Sequence, residues 1–325
     1  MASIRKRGNS YLIVVSMGYD YKGARIKPRQ KTVHPPEGLT PKQREKWLQE
    51  QAVLFERSCR DTPEETTKPI TLTAEEADIL TKAAQEKNVK NMVCFSYRFK
   101  AAARYAKDLI AQGKIGRVYH VNMQYFQAWG LPRANCPLVW RYVKSRTGTG
   151  ALGDLGSHAL DLVRFVTNKE YTRVVGHTGT YVHERPLLDG KGVGKVDVDD
   201  FSNYMADMED EISVSFQITR FAYGRGNYQR MEIYGSEGAI VYSLDATPAG
   251  IDEIEVCSGD INADAHVFNH LPIPQQYFSD QMQSFADIVN GTGDGLAANI
   301  KDGQANQHLL DAIVESAEKG TWLSL

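Results

Sequence analysis

Residues 148–161 read GTGALGDLGSHALD, and the reading of this stretch decides between two folds. Taken literally, Gly148, Gly150 and Gly153 match G-x-G-x-x-G, the turn that opens a doubly wound dinucleotide-binding sheet. That turn needs a buried strand just before it and an acidic residue about twenty positions on, at the end of a second strand. The preceding stretch, WRYVKSRT, is charged, and Glu170 sits in a polar turn, NKEYT. The glycines therefore form a tight loop that brings backbone close to a ligand or a neighbouring strand. Behind them Leu155, Ala159, Leu162 and Val166 recur at helical spacing.

The same stretch carries chemistry. Asp154 and His158 are four apart and share one face of a helix, within side-chain reach. A carboxylate beside an imidazole fixes the ring's tautomer and tunes its proton affinity, as a general base near neutral pH requires. A second reading stays open: Asp154 or Ser157 caps the helix and does nothing else.

Downstream, β-rich or alternating patterns at residues 118–126, 172–182, 199–208, 211–221, 228–234 and 239–243 predict strands. Turns at residues 208–211 and 235–238 separate them. Two helices close the chain, at about residues 276–290 and 301–319. Strands interrupted by helices argue α+β. The loop GKGVG at residues 190–194 has no strand–helix context for phosphate.

Upstream, residues 67–99 read TKPITLTAEEADILTKAAQEKNVKNMVCFSYRF. Thr73-x-x-Glu76 is a capping box that starts a helix running to about Lys87. Residues 89–95 then read as a short buried strand. Followed by Gly-Thr-Gly-Ala-Leu-x-Asp-x-Gly-x-His, this run resembles the Gfo/Idh/MocA family of glucose–fructose oxidoreductase and inositol dehydrogenase relatives. Thr67-Lys68-Pro69 stands where the family has Glu-Lys-Pro. The Asp-x-x-x-His pair falls on Asp154 and His158, and Tyr-Arg-Phe on Tyr97, Arg98 and Phe99. Thr219-Arg220-Phe221 and Gly235-Ser-Glu-Gly238 also fit. The likeness runs from about residue 67 to the C-terminus.

The resemblance implies an open, mostly antiparallel sheet with flanking helices, one sheet face serving contacts between copies of the chain. It implies an NAD- or NADP-dependent sugar or polyol dehydrogenase. His158 would take the hydroxyl proton, Lys68 would polarise the same oxygen, and Asp154 would orient the site while hydride passes to the nicotinamide. Tyr97, Arg98, Trp129, Trp140 and Arg225 are the candidate substrate contacts, with core packing the alternative for the two tryptophans. The family's glycine-rich nucleotide turn does not precede Lys68. The expectation is a residual helix–strand piece of the Rossmann domain at residues 68–116 and a substrate-binding, catalytic domain at residues 117–325. Lys68 and Pro69 would reach the nicotinamide end at most, and the dinucleotide would bind weakly or not at all.

The first sixty residues differ in kind. They hold 13 Lys and Arg against 5 Asp and Glu, a net +8, while the remainder carries −10. A β-rich run at residues 11–15, a hairpin signal at residues 20–23 and a basic strand at residues 25–33 precede a capping box, Thr40-Pro41-x-Gln43. A helix follows to about Arg57, with Trp47, Ala52, Leu54 and Phe55 available for packing. Residues 1–59 resemble the arm-type DNA-binding domain of tyrosine-recombinase integrases, a small sheet-plus-helix module. That resemblance implies phosphate contacts from Arg5, Lys6, Arg7, Lys22, Arg25, Lys27, Arg29 and Lys31; a solvated basic face is the alternative. No histidine is followed by Arg at the third position, which excludes recombinase chemistry. A polar linker at residues 61–67 joins the parts.

Other classes are excluded by composition. Cys59, Cys94, Cys136 and Cys257 form no Cys-x-x-Cys pair and read as free thiols in a reducing, cytoplasmic setting. The histidines form no metal-binding cluster, so no metal is expected. His177 and His183 alternate in strand-like sequence and face outward. No apolar run is long enough for a signal peptide or a membrane span. A DNA-binding module carrying a non-catalytic oxidoreductase-like body, or an inactive remnant, are the rival readings.

Overall fold

In the computed structural model the described residues are 3–8, 10–15, 28–36, 38, 40–61, 71–245, 252–264 and 267–325; side chains at 29, 50, 53–61, 263 and 264 are not among them. Lys22, Arg25, Lys27, Lys68 and Pro69 lie outside the described residues, as do the hairpin signal at residues 20–23 and the side chains of Leu54 and Phe55. The chain divides into two compact units, Met1–Lys68 and Pro69–Leu325.

In the first unit β1 (Ser3–Arg7), β2 (Ser10–Val15) and β3 (Arg29–Val33) form an antiparallel sheet in that order, followed by α1 (Pro41–Asp61). The capping box closes as expected: the Thr40 amide donates to Gln43 Oε1 at 3.0 Å and the Gln43 amide to Thr40 Oγ1 at 3.4 Å. Ile13, Val33, Leu48 and Ala52 form a small core, with Ile4, Tyr11 and Trp47 packed on it. Side chains alternate across a strand. Lys6 and Lys31 stand opposite Tyr11 and Ile13, on the side of that core, whereas Arg5 and Arg7 stand opposite Leu12 and Ser10, on the other face.

The second unit begins with α2 (Ala74–Glu86), whose N-cap Thr73 accepts from the Glu76 amide. Glu76 accepts the Leu72 amide rather than that of Thr73, so the expected box is displaced by one residue. Residues 89–95 are not a strand. Val89 is exposed and the Val93 amide is held by the Ala298 carbonyl. The segment has strand-forming residues, but among the described residues no neighbouring strand offers it a ladder. A 3-10 turn, Ser96–Phe99, follows.

Next come α3 (Ala101–Ala111), β4 (Val118–Phe126), α4 (Lys144–Thr147), α5 (Ser157–Thr167), β5 (Tyr171–Gly179), a small hairpin of β6 (Glu184–Pro186) and β7 (Val193–Lys195), β8 (Phe201–Met208), β9 (Ile212–Thr219), β10 (Tyr228–Gly235), β11 (Gly238–Leu244) and β12 (Glu253–Ser258). The chain closes with α6 (Ile261–Asp264), β13 (Asn269–His270), α7 (Gln281–Asn290), α8 (Ile300–Lys319) and β14 (Leu323–Ser324). Nine strands make one sheet in the order β13-β12-β11-β10-β4-β9-β8-β5-β14, antiparallel except for β4 beside β9. The expected α+β architecture with a mostly antiparallel sheet is present.

Alternation places Val121, Met123 and Tyr125 of β4, and Val214, Phe216 and Ile218 of β9, against the helices in one core. The opposite face shows Asn122, Asn203, Met205 and Gln217 to solvent. From α5 the core receives Leu160, Leu162, Val163, Phe165 and Val166. Each such side chain contributes about 1.5–3 kcal/mol on burial, so α5 is anchored along its length. That matters because His158 sits in its first turn.

Candidate functional site

The helix leading to His158 does not start as an ordinary α-helix. Residues Leu152–Gly156 form a π-turn, closed by the Ser157 amide donating to the Leu152 carbonyl. Such single-turn bulges recur at functional sites, and Asp154 lies at the centre of this one. Neither Asp154 nor Ser157 caps it. Asp199, arriving just before β8, accepts the Gly150 amide at 2.5 Å and the Leu152 amide at 2.7 Å. Ser157 Oγ instead donates back to the Gly153 carbonyl at 2.6 Å. Gly150 is required by this fit: a Cβ there would lie 1.9 Å from the Asp199 carbonyl oxygen.

Asp154 is held by two arginines. Arg220 Nη2 donates to Oδ2 at 3.2 Å and to the Gly150 carbonyl at 2.7 Å, while Arg141 Nε donates to Oδ1 at 3.4 Å. Arg220 is fully buried and stacks over the Trp129 ring, its Cζ 4.7 Å from the centroid. Arg141 stacks over Trp140 at 4.5 Å. The two tryptophans thus back the two guanidiniums. Trp140 also lines the cavity beside Asp154, while Trp129 packs on the Tyr142–Val196–Val198 cluster.

His158 is half-buried, with the Phe95 and Tyr97 rings set edge-on at 5.8 Å and 5.2 Å between centroids. Its Nδ1 is sealed from water and has no hydrogen-bond partner among the described residues. Burial pushes the imidazole below its ordinary value of 6.5, and the Asp154 charge opposes this. The ring is therefore neutral near pH 7 and able to accept a proton. Asp154 acts on it through charge, without a direct hydrogen bond.

Of the expected substrate contacts, Tyr97 stands beside His158. Its hydroxyl shares a 2.5 Å hydrogen bond with the Tyr125 hydroxyl and lies 3.2 Å from Asn227 Oδ1. Gln127 joins Asn227 at 3.0 Å and Trp129 at 2.5 Å, which makes a polar row next to the imidazole. Arg98 does not belong to the site. It is buried and grips Asp161 through Nε at 2.8 Å and Nη2 at 2.6 Å, with Asp302 at 3.1 Å. It ties the 3-10 turn to α5 and α8 and is spent on structure. Arg225 is exposed, stacks on Tyr228 at 4.0 Å, and is not among the residues that line the cavity. Among the described residues no cluster of His, Cys, Asp and Glu is placed to hold a metal, and no helix is long and apolar enough to cross a membrane.

Asp154 and His158 open onto a cavity of about 320 Å³ walled by Phe95, Trp140, α2 and α8. Asp199, Arg141 and Arg220 hold the turn and its carboxylate, and none of them carries a local sequence signal for that role.

Comparison with known proteins shows the family. The family model for the GFO/IDH/MocA C-terminal domain matches residues 103–241. Levoglucosan dehydrogenase of Pseudarthrobacter phenanthrenivorans is 32% identical over 288 residues, covering 79% of this chain and 72% of its own length. The chain belongs to the Gfo/Idh/MocA family. A solved levoglucosan dehydrogenase in complex with NADH and levoglucosan superposes with a TM-score of 0.69 at 33% identity, over 79% of this chain and 72% of that one. The 1,5-anhydro-D-fructose reductase of Ensifer adhaerens is 26% identical, covering 78% of this chain and 69% of its own length.

Proposed function

We propose that the second unit binds a sugar or polyol in the cavity beside His158 and takes a proton from one of its hydroxyls. It is then the substrate-binding half of an NAD(P)-dependent sugar dehydrogenase. One observation carries this reading: a neutral imidazole, packed by two aromatic rings, opens on the cavity next to a carboxylate held by two arginines. A half-buried neutral imidazole accepts a proton as a hydroxyl is oxidised, and the nearby Asp154 charge stabilises the imidazolium that forms. The family relatives are named for levoglucosan and 1,5-anhydro-D-fructose, both compact cyclic sugars.

The described residues do not fit a dinucleotide's pyrophosphate. Gly148–Gly153 follows α4 rather than a strand, and its Gly150 and Leu152 amides are already taken by Asp199. We therefore propose that this chain binds NAD(H) or NADP(H) weakly or not at all. Calorimetric titration with levoglucosan, without cofactor, tests the sugar site. Saturable binding weakened by His158→Ala supports it; no heat from levoglucosan refutes it.

A second reading concerns the first unit. We propose that it contacts nucleic acid phosphates, because Arg5 and Arg7 occupy the face of its sheet away from the packed helix and the segment is strongly basic. Arg5→Ala/Arg7→Ala is expected to flatten the salt dependence of duplex binding by about two log units per log unit of salt. An unchanged slope refutes the assignment.

A further inference from the structure

A second cavity, of about 620 Å³, lies at the far end of α5 from His158. His158 is in the first turn of α5 and Asn168 caps the last, about 15 Å away at 1.5 Å of rise per residue. The two cavities are therefore separate. The second is bounded by the C-terminal ends of α3 and α5, the start of β4 and the turn between β8 and β9. Ile110, Val118, Val166 and Ile212 give it apolar lining. Lys107, Arg117 and Lys169 line it too, against one carboxylate among the described lining residues, Asp210. Apolar walls with a few polar groups, at this volume, are the form of a small-molecule site. Three cations against one carboxylate make the preferred ligand negative.

Lys107 carries the argument. It is half-buried, and its ammonium donates to the Phe165 carbonyl at 2.9 Å and to Asn168 Oδ1 at 3.4 Å, 5.0 Å from the centroid of the Phe165 ring. These acceptors are neutral, and it has no carboxylate partner among the described residues. An ammonium drawn partly out of water without a counter-charge is costly. Burial, and then the charge of Arg98, pull it below its ordinary value of 10.5. An anion in the cavity would offset both. An ammonium has three N–H groups, so two acceptors leave one for a ligand. Arg117 and Lys169 do have carboxylates, Glu211 at 2.7 Å and Asp210 at 2.5 Å, but these side chains are 89% and 58% exposed. Pairs so open to water hold weakly, which leaves both cations able to turn to a ligand.

We propose that this cavity binds a small organic carboxylate, its charged group on Lys107, Arg117 and Lys169 and its apolar body on the isoleucine and valine side chains. An inorganic anion would leave that apolar lining uncovered. The proposal does not depend on the sugar-binding reading of the His158 cavity.

Calorimetric titration of the full chain with benzoate tests this, with benzamide as the neutral counterpart and inorganic phosphate as an anion with no apolar body. Benzoate is expected to bind saturably and more tightly than either. Lys107→Met keeps the stem and removes the charge; it is expected to weaken benzoate binding about tenfold, the loss of one charged hydrogen bond. Lys107 also holds the end of α5, so a second variant guards against misfolding: Lys169→Met, on the half-exposed side, is expected to weaken binding about two- to fivefold with an unchanged melting temperature. The proposal is overturned if benzoate does not bind the parent chain, or if both variants bind it as the parent does. Benzamide binding as tightly as benzoate would remove the role of the cations. Phosphate binding more tightly than benzoate would overturn the organic carboxylate as the ligand.

Discussion

Replacing Arg98 by Met separates its structural role from the substrate contact the sequence suggested. In the folded protein Asp161 is 2% exposed and receives two hydrogen bonds from Arg98, at 2.8 and 2.6 Å. Arg98→Met leaves that carboxylate buried and without its cation. Breaking a buried pair from one side costs about 3–5 kcal/mol, because the remaining charge is not compensated. Asp302 loses less, since Arg164 still donates to it at 2.6 Å. The double variant Arg98→Met/Asp161→Leu removes both charges and is expected to recover to within about 1 kcal/mol of the parent, as apolar replacements of buried pairs do. The pH dependence gives a second check. Burial pushes Asp161 up from 3.8 to about 6 even with Arg98 opposing it. Without Arg98 the folded-state value rises further, so the folded variant takes up a proton that the unfolded chain does not yet bind. Lowering the pH from about 8 to about 5 then favours the folded form, and the gap between variant and parent narrows. Urea unfolding at several pH values measures this. The reasoning is refuted if Arg98→Met costs under about 1 kcal/mol, or if it leaves stability intact and abolishes sugar binding.

Three further outcomes are expected. Gly150→Ala places a Cβ 1.9 Å from the Asp199 carbonyl oxygen, so the turn must open; levoglucosan binding is lost and the thermal melting point falls. The folded protein holds His158 neutral, so below its ordinary value of 6.5 the unfolded chain binds the proton first and stability is lost as pH falls; His158→Gln flattens that part of the urea-midpoint profile. Titration with NADH, followed by nicotinamide fluorescence, shows no saturable binding in the micromolar range; saturation there contradicts the misfit of the glycine turn.

The sheet was readable where side chains alternate. The pattern VYHVNMQYF gave β4 its observed bounds, Val118–Phe126, because Val121, Met123 and Tyr125 alternate on its buried face. Residues 89–95 misled for the opposite reason: strand propensity needs a partner strand, and Val93 finds only the Ala298 carbonyl. At the site, spacing alone brought out Asp154 and His158. It could not show that Asp199, 49 residues from Gly150, caps the turn, or that Arg220 holds Asp154 from 66 residues away. Arg98 carries no local mark of its structural role, because its partner, Asp161, is 63 residues distant.

The most direct test of the account is the response of His158 itself. With histidine rings labelled with nitrogen-15, levoglucosan is titrated into the full chain while the imidazole resonances are followed, His158→Gln giving the assignment. The account predicts that His158 moves saturably, that it is neutral at pH 7 before the sugar is added, and that histidines far from the cavity such as His177 and His270 stay still. A silent His158 while calorimetry records binding would place the sugar elsewhere and contradict the central claim.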